Sequence, residues 1–281
     1  MQPQTAAYLD LAQQGRNQWW RYALAVPLIL FFWLALGHLP YLALAGLRPL
    51  DPLLLYVAVN CSLLMMLAGL ALAMRWLHRR PMMSLVAPAR APDWKRIGEA
   101  AAVWGAFALA AAAVEHMLYP GRYYLSFDPQ RFFVFAAAVL VLTPLQTTTE
   151  ELVFRGYALQ SLGLLMRNPA ALAVLSALLF TAPHLMNPEV ERYGAGLLAA
   201  GYFTIGLLLA VITLRDGRLE LAIGVHAANN LVLALVANYE GSVLATESVF
   251  TARELDPAYS LAALVTGSLL FYWWFFGRGR R

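Results

Sequence analysis

The sequence predicts an all-α polytopic membrane protein of about eight transmembrane helices, and three observations lead there. The 281 residues are 61% hydrophobic and only 13% charged, whereas a soluble domain carries about 25% charged residues. The mean hydropathy is +0.61. Apolar runs close to the ~20 residues that cross hydrocarbon recur along the whole chain. No internal repeat, low-complexity tract or separate soluble domain interrupts them, so residues 1–281 read as a single integral membrane domain.

Residues 1–21 are polar and mildly amphipathic and end in Trp19-Trp20-Arg21, the composition of a cytoplasmic or interfacial segment. Nothing resembles a cleaved signal peptide; the first apolar run starts after Arg21 and suits a retained anchor. Spans are expected at roughly 23–46, 52–76, 98–119, 132–160, 170–187, 194–214, 219–238 and 258–276. The fourth is too long for one plain helix. Pro144 and the polar patch from Gln146 to Glu151 predict that it is broken, bent or re-entrant midway. The single cysteine, Cys61, lies in an apolar run and leaves no intrachain disulfide to form.

A net charge of +4 and a pI near 9.3 would suggest nucleic acid for a soluble chain. Here the positive-inside rule accounts for them, and no nucleic-acid partner is expected. Alternating spans put fourteen Lys/Arg residues with the termini and the loops on their side. Only Arg48, Arg122, Arg131, Arg192 and Arg253 fall on the other side, with Arg155 inside a span. Both termini are therefore expected in the cytoplasm, and the acidic loop 239–257 outside. The lack of organelle signals suggests a prokaryotic cytoplasmic membrane.

One stretch, Thr147-Thr148-Thr149-Glu150-Glu151-Leu152-Val153-Phe154-Arg155-Gly156, places two carboxylates and an arginine inside an apolar span. Each ionisable group at membrane depth costs ~2.5–3.5 kcal/mol or more. They persist only if paired, hydrated or used. Glu151 and Arg155 are four apart and share a helical face, so they can pair and brace the helix. Glu150 projects about 100° away and is free for chemistry.

Two histidines also fall inside later spans. His184 lies four residues after Phe180, and His226 four before Asn230, so each pair shares a face. Interhelical glue worth ~0.6 kcal/mol explains one such residue. It explains poorly a set of Glu150, His184, His226 and Asn230 spread over three spans. No HExxH helix, GxSxG elbow or Walker loop is present. A Glu-His-His-Asn set without a nucleophile favours attack by an activated water.

Glu150-Glu151-x-x-x-Arg155, Phe180-x-x-x-His184 and His226-x-x-x-Asn230, in that order, resemble the three motifs of the CPBP intramembrane proteases. These are relatives of the type II CAAX prenyl endopeptidases and are also called the Abi family. The resemblance covers roughly residues 130–240, and the eight-span count is similar as well. It implies an intramembrane endopeptidase acting on a membrane-anchored protein or peptide, with the bilayer as its surroundings. Glu150 and His184 would activate water, His226 and Asn230 would form the oxyanion hole, and Glu151 and Arg155 would support the motif helix. It also admits a zinc version, in which Glu150, His184 and His226 are ligands and water is the fourth. The same side chains serve both mechanisms; the resemblance favours the glutamate-dependent one without a cofactor.

Two other readings keep the same residues. A non-catalytic scaffold or immunity protein would use the fold without the chemistry. An ion-coupled transporter would line a path with Glu150 and the histidines, although no broken-helix repeat supports it. A geometric difficulty also stands. On straight helices His226 lies ~12 Å from Arg218, whereas His184 lies ~24 Å from Asn168 on the same side. The two cannot meet at one depth unless spans are displaced or broken.

Overall fold

The computed structural model describes residues 1–44, 51–244 and 246–277. In chain order its helices are α1 (Pro3–Asp10), α2 (Trp19–Leu44), α3 (Pro52–His78), α4 (Trp94–Leu118) and α5 (Pro129–Leu165). There follow α6 (Pro169–His184), α7 (Pro188–Tyr193), α8 (Ala195–Asp216), α9 (Glu220–Leu235) and α10 (Pro257–Gly277). Among the described residues, α2, α3, α4, α5, α8 and α10 are long and apolar enough to cross a membrane, and α6 and α9 are shorter apolar helices. These eight match the eight expected spans; residues 45 and 46 of the first, with Arg48, Arg278, Arg280 and Arg281 of the charge count, lie outside the described residues. Outward faces carry Leu24, Phe31, Phe133, Leu140, Leu178 and Leu269, the apolar exterior of an integral membrane protein.

Local sequence sets the helix starts. The Asp51, Asp93, Asp128, Asn168 and Asp256 side chains each accept from backbone N–H groups two or three residues on. In all but the Asp93 case the next residue is a proline at the first helical position. Both features satisfy or remove orphan donors at a helix N-terminus.

The fourth span differs from a broken or re-entrant helix. It runs 37 residues without leaving helical structure. Pro144 sits within ordinary α-helix, and the irregularity is an interval of wider π-type turns over Leu152–Ala158. Such a helix is ~55 Å long against ~30 Å of hydrocarbon, so it tilts or projects beyond the bilayer.

A small sheet, not foreseen from sequence, joins the loops at one end. Strands β1 (Tyr123–Leu125), β2 (Ala237–Tyr239) and β3 (Phe250–Ala252) lie in the order β1-β3-β2. β1 is antiparallel to β3 and β2 parallel to it. Arg122 reinforces this sheet end through Glu115 at 2.8 Å and Asp256 at 3.2 Å.

The opposite end holds the N-terminal segment. Residues 1–21 form more than an interfacial strip, because Tyr8 and Leu9 are fully buried. Thr5 donates to the Leu214 carbonyl at 2.7 Å, and Asp10 pairs with Arg167 at 2.8 Å. The loop after α3 also folds inward. Leu85 and Ala87 are buried, and Leu85 packs where Gly156 lacks a side chain; a Cβ there would lie 2.9 Å from the Leu85 Cβ.

That inward loop resolves the depth difficulty. α9 begins against it, with the Leu219 N–H donating to the Val86 carbonyl at 2.9 Å. α9 therefore starts inside the protein, and His226 is carried further along the bundle than its distance from Arg218 suggests. Every residue from Glu220 to Ala228 is buried. Gly224 lets α4 approach closely, since a Cβ there would overlap the Ile97 carbonyl oxygen.

Candidate functional site

Glu151 comes first because it is the fixed point. It is fully buried and on the α5 face that meets α8 and α9. Its Oε1 accepts from Arg155 Nη1 at 2.8 Å and faces His226 Nδ1 at 2.8 Å. Arg155 is also fully buried and donates through Nη2 to the Gly206 carbonyl at 3.2 Å. The expected i, i+4 pair is therefore present, and it holds a histidine as well. Because Glu151 accepts from Nδ1, that nitrogen carries a proton and Nε2 is turned towards Glu150.

Glu150, one residue earlier, projects elsewhere and is nearly bare. Gln146 Nε2 donates to its Oε1 at 3.3 Å, whereas Oε2 has no hydrogen-bond partner. His184 Nε2 lies 3.9 Å and His226 Nε2 4.0 Å from that Oε2. The His184 Nδ1 donates to the Phe180 carbonyl at 2.7 Å, which fixes its ring as well. The Phe180 ring packs on His184 and His226 at 4.4 and 5.8 Å between centroids, with the Arg155 guanidinium 4.3 Å from it. Phe180 thus arranges three members of the site through one side chain and its own carbonyl.

Asn230 is placed by a relay from α4. Trp104 Nε1 donates to Asn229 Oδ1 at 3.2 Å, and Asn229 Nδ2 donates to Asn230 Oδ1 at 3.2 Å. The Asn230 oxygen is thereby engaged, and its amide N–H groups are left for the cavity. Glu150, His184, His226, Asn229 and Asn230 all line one cavity of about 310 Å³. From Met66 and Phe154 it runs to Asn238, Tyr239 and Ser242 at the sheet end.

The four residues expected to carry chemistry thus share one cavity, with Glu151 and Arg155 directly behind them. Sequence reasoning passed over Gln146, Trp104, Asn229 and Tyr202 as site neighbours. Of these, Gln146 at i−4 from Glu150 was readable from spacing alone. His78, at the end of α3, is buried and hydrogen-bonded to the Tyr157 hydroxyl at 2.9 Å, beside the motif helix but not in the cavity.

The donor types of Glu150, His184 and His226 suit zinc. Glu150 Oε2 stands 3.9 and 4.0 Å from the two imidazole nitrogens, against roughly 3.4 Å between tetrahedral ligands at about 2.0–2.1 Å. Among the described residues no group of three His, Cys, Asp or Glu has the arrangement of a metal site. Each gap does accommodate a water about 2.8 Å from both partners.

Residues 129–232 match the family described as type II CAAX prenyl endopeptidase Rce1-like. The uncharacterized protein YyaK of Bacillus subtilis (strain 168) is 29% identical over 275 residues, covering 92% of this chain and 91% of its own. No solved structure matches significantly.

Proposed function

From the match of residues 129–232 to the type II CAAX prenyl endopeptidase Rce1-like family, we propose that the chain is a glutamate-dependent intramembrane endopeptidase. It hydrolyses a peptide bond of a membrane-anchored protein or peptide. The observation that supports this most is the bare Glu150 Oε2 between two imidazole nitrogens whose rings are anchored from behind.

A water in the gap donates one proton to Glu150 Oε2 and the other to His184 Nε2. Both atoms can only accept in this arrangement, so the water oxygen presents its lone pair to the substrate carbonyl. Attack passes the first proton to Glu150 and creates an oxyanion. Asn230 N–H and His226 Nε2–H donate to that oxyanion. In that step His226 donates through both ring nitrogens, Nδ1–H to Glu151 and Nε2–H to the oxyanion. Glu150 then returns its proton to the leaving nitrogen, the oxyanion collapses to a carbonyl as the C–N bond breaks, and the acid product loses its remaining proton through His184 Nε2 to leave as a carboxylate. Preorganised donors of this kind are worth on the order of 10²–10³ in rate each.

The basic, terminus-bearing end lies in the cytoplasm by the positive-inside rule. The cavity reaches the opposite, sheet-bearing end, so the substrate bond is presented from the extracytoplasmic side.

Comparing wild type with Glu150→Gln in the native membrane, by mass spectrometry of protein termini, tests the reading. Particular fragments should vanish and their precursors accumulate. Identical terminal proteomes at equal protein levels would remove its support. Cleavage that persists in a chelator separates the glutamate mechanism from a zinc one.

A further inference from the structure

A second carboxylate faces the same cavity and takes no part in the steps above. Glu189, in the first turn of α7, is 2% exposed and lines the cavity. Its Oε1 accepts from the Tyr239 hydroxyl at 3.1 Å and the Tyr202 hydroxyl at 3.3 Å. Asn187 Nδ2 donates to the Tyr202 oxygen at 3.0 Å, which directs the Tyr202 proton at Glu189. Burial, and then the neighbouring carboxylate, holds the Tyr239 phenol above its usual range, so it remains a donor. Both phenols thus serve one oxygen, and Glu189 Oε2 has no partner at all.

Among the described residues no Lys, Arg or His lies within ion-pair distance of Glu189, and Arg192 on the same helix donates instead to the Glu240 carbonyl at 3.0 Å. The Tyr202 ring packs against His184 at 4.8 Å between centroids. One side chain therefore separates this carboxylate from the Glu150–His184 pair.

A buried carboxylate with oriented donors on one oxygen and none on the other is incomplete until a cation arrives. We infer that Glu189 is a substrate subsite for a basic side chain, a Lys or Arg of the peptide close to the bond that is cut. This rests on the hydrolytic reading and gives it a substrate class. The substrate cation supplies the partner the protein lacks, and peptides without one leave the carboxylate unpaired, so selectivity follows from their penalty as much as from the attraction.

The test adds Glu189→Gln to the comparison of terminal proteomes. Cut sites that depend on Glu150 should be enriched in Lys or Arg within a few residues of the broken bond. Glu189→Gln should lower cleavage at those sites roughly 10- to 100-fold. A synthetic peptide spanning the strongest site, with its basic residue replaced by Met, should lose a similar factor against wild type. The two changes should be non-additive, Glu189→Gln harming the Met peptide less than the basic one. The peptide comparison alters only the substrate and stands even if the variant fails to fold. Glu150-dependent sites without a basic residue, or basic and Met peptides cut equally by wild type, would overturn the inference alone. Absence of any Glu150-dependent site would instead sink the hydrolytic reading and the inference with it.

Discussion

Buried carboxylates are treated in two ways along this bundle. Towards the terminus-bearing end each has a guanidinium beside it, Glu151 with Arg155 and Glu220 with Arg218 at 2.8 Å, and the half-buried Asp216 likewise has Arg96. In the cavity, Glu150 and Glu189 have neither lysine nor arginine within that reach among the described residues; an oxygen without a hydrogen bond does not set them apart, because Glu151 and Asp216 have one too. Glu150 and Glu151 are neighbours in sequence and fall on opposite sides of this division. Burial alone therefore says little about role. A paired carboxylate holds helices together, and one left open in a cavity is available to a proton, a water or a substrate.

The strongest way to break the paired side is to remove its cation. Arg155→Met leaves the buried Glu151 without its guanidinium partner and should cost about 3–5 kcal/mol. Thermal melting of the purified protein should show a large drop, with cleavage lost in parallel. On the open side, Asn230→Ala should lower the cleavage rate about 10²–10³-fold while melting stays close to wild type. Asn229→Ala, which frees the Asn230 amide to turn, should give a smaller loss of the same kind.

A milder change probes the packing behind the paired cluster. The Tyr8 hydroxyl donates to the Leu85 carbonyl at 2.8 Å and the Arg155 carbonyl at 3.1 Å. Tyr8→Phe should cost about 1 kcal/mol in melting and leave the catalytic geometry intact. The smallest effect belongs to the sheet end. The Asp256 carboxyl is held below the usual carboxylate range by the Tyr259 backbone N–H, with Arg122 adding to it. A depressed folded value stabilises above the unfolded Asp value, near 3.9, and that contribution disappears as pH falls through the lower folded value. Asp256→Asn keeps a helix cap and removes the charge. Its melting deficit should be below about 1 kcal/mol at neutral pH and should vanish in strong acid.

Much of this division was written locally. The Asp-Pro and Asn-Pro pairs mark helix starts, and the i, i+4 spacings of Glu151–Arg155, Phe180–His184 and His226–Asn230 survive as faces. The pairing of Glu151 with His226 was not legible, because it joins residues 75 positions apart. Neither was the meeting of His184 with His226 at one depth. It depends on the loop after α3 turning inward to cover the start of α9, a tertiary choice that hydropathy does not record. The π-type turns after Glu151 replaced the break expected at Pro144, since proline within a long helix can be tolerated when neighbouring groups re-satisfy the backbone. Sequence reasoning did not single out Glu189. Its significance appears only when Tyr202 and Tyr239, from two other elements, are placed around it.

The most direct measurement sets Glu150→Gln beside Glu151→Gln, with melting and site-specific cleavage read on the same preparations. Glu150→Gln should melt at or above the wild-type temperature, because it removes the charge from a buried carboxylate whose Oε2 has no hydrogen-bond partner, and it should show no cleavage. Glu151→Gln should melt well below wild type, because Arg155 and His226 lose their common acceptor. Equal destabilisation by the two, or a Glu150→Gln protein that still cleaves, would contradict the division of these neighbouring carboxylates into a reactive one and a structural one.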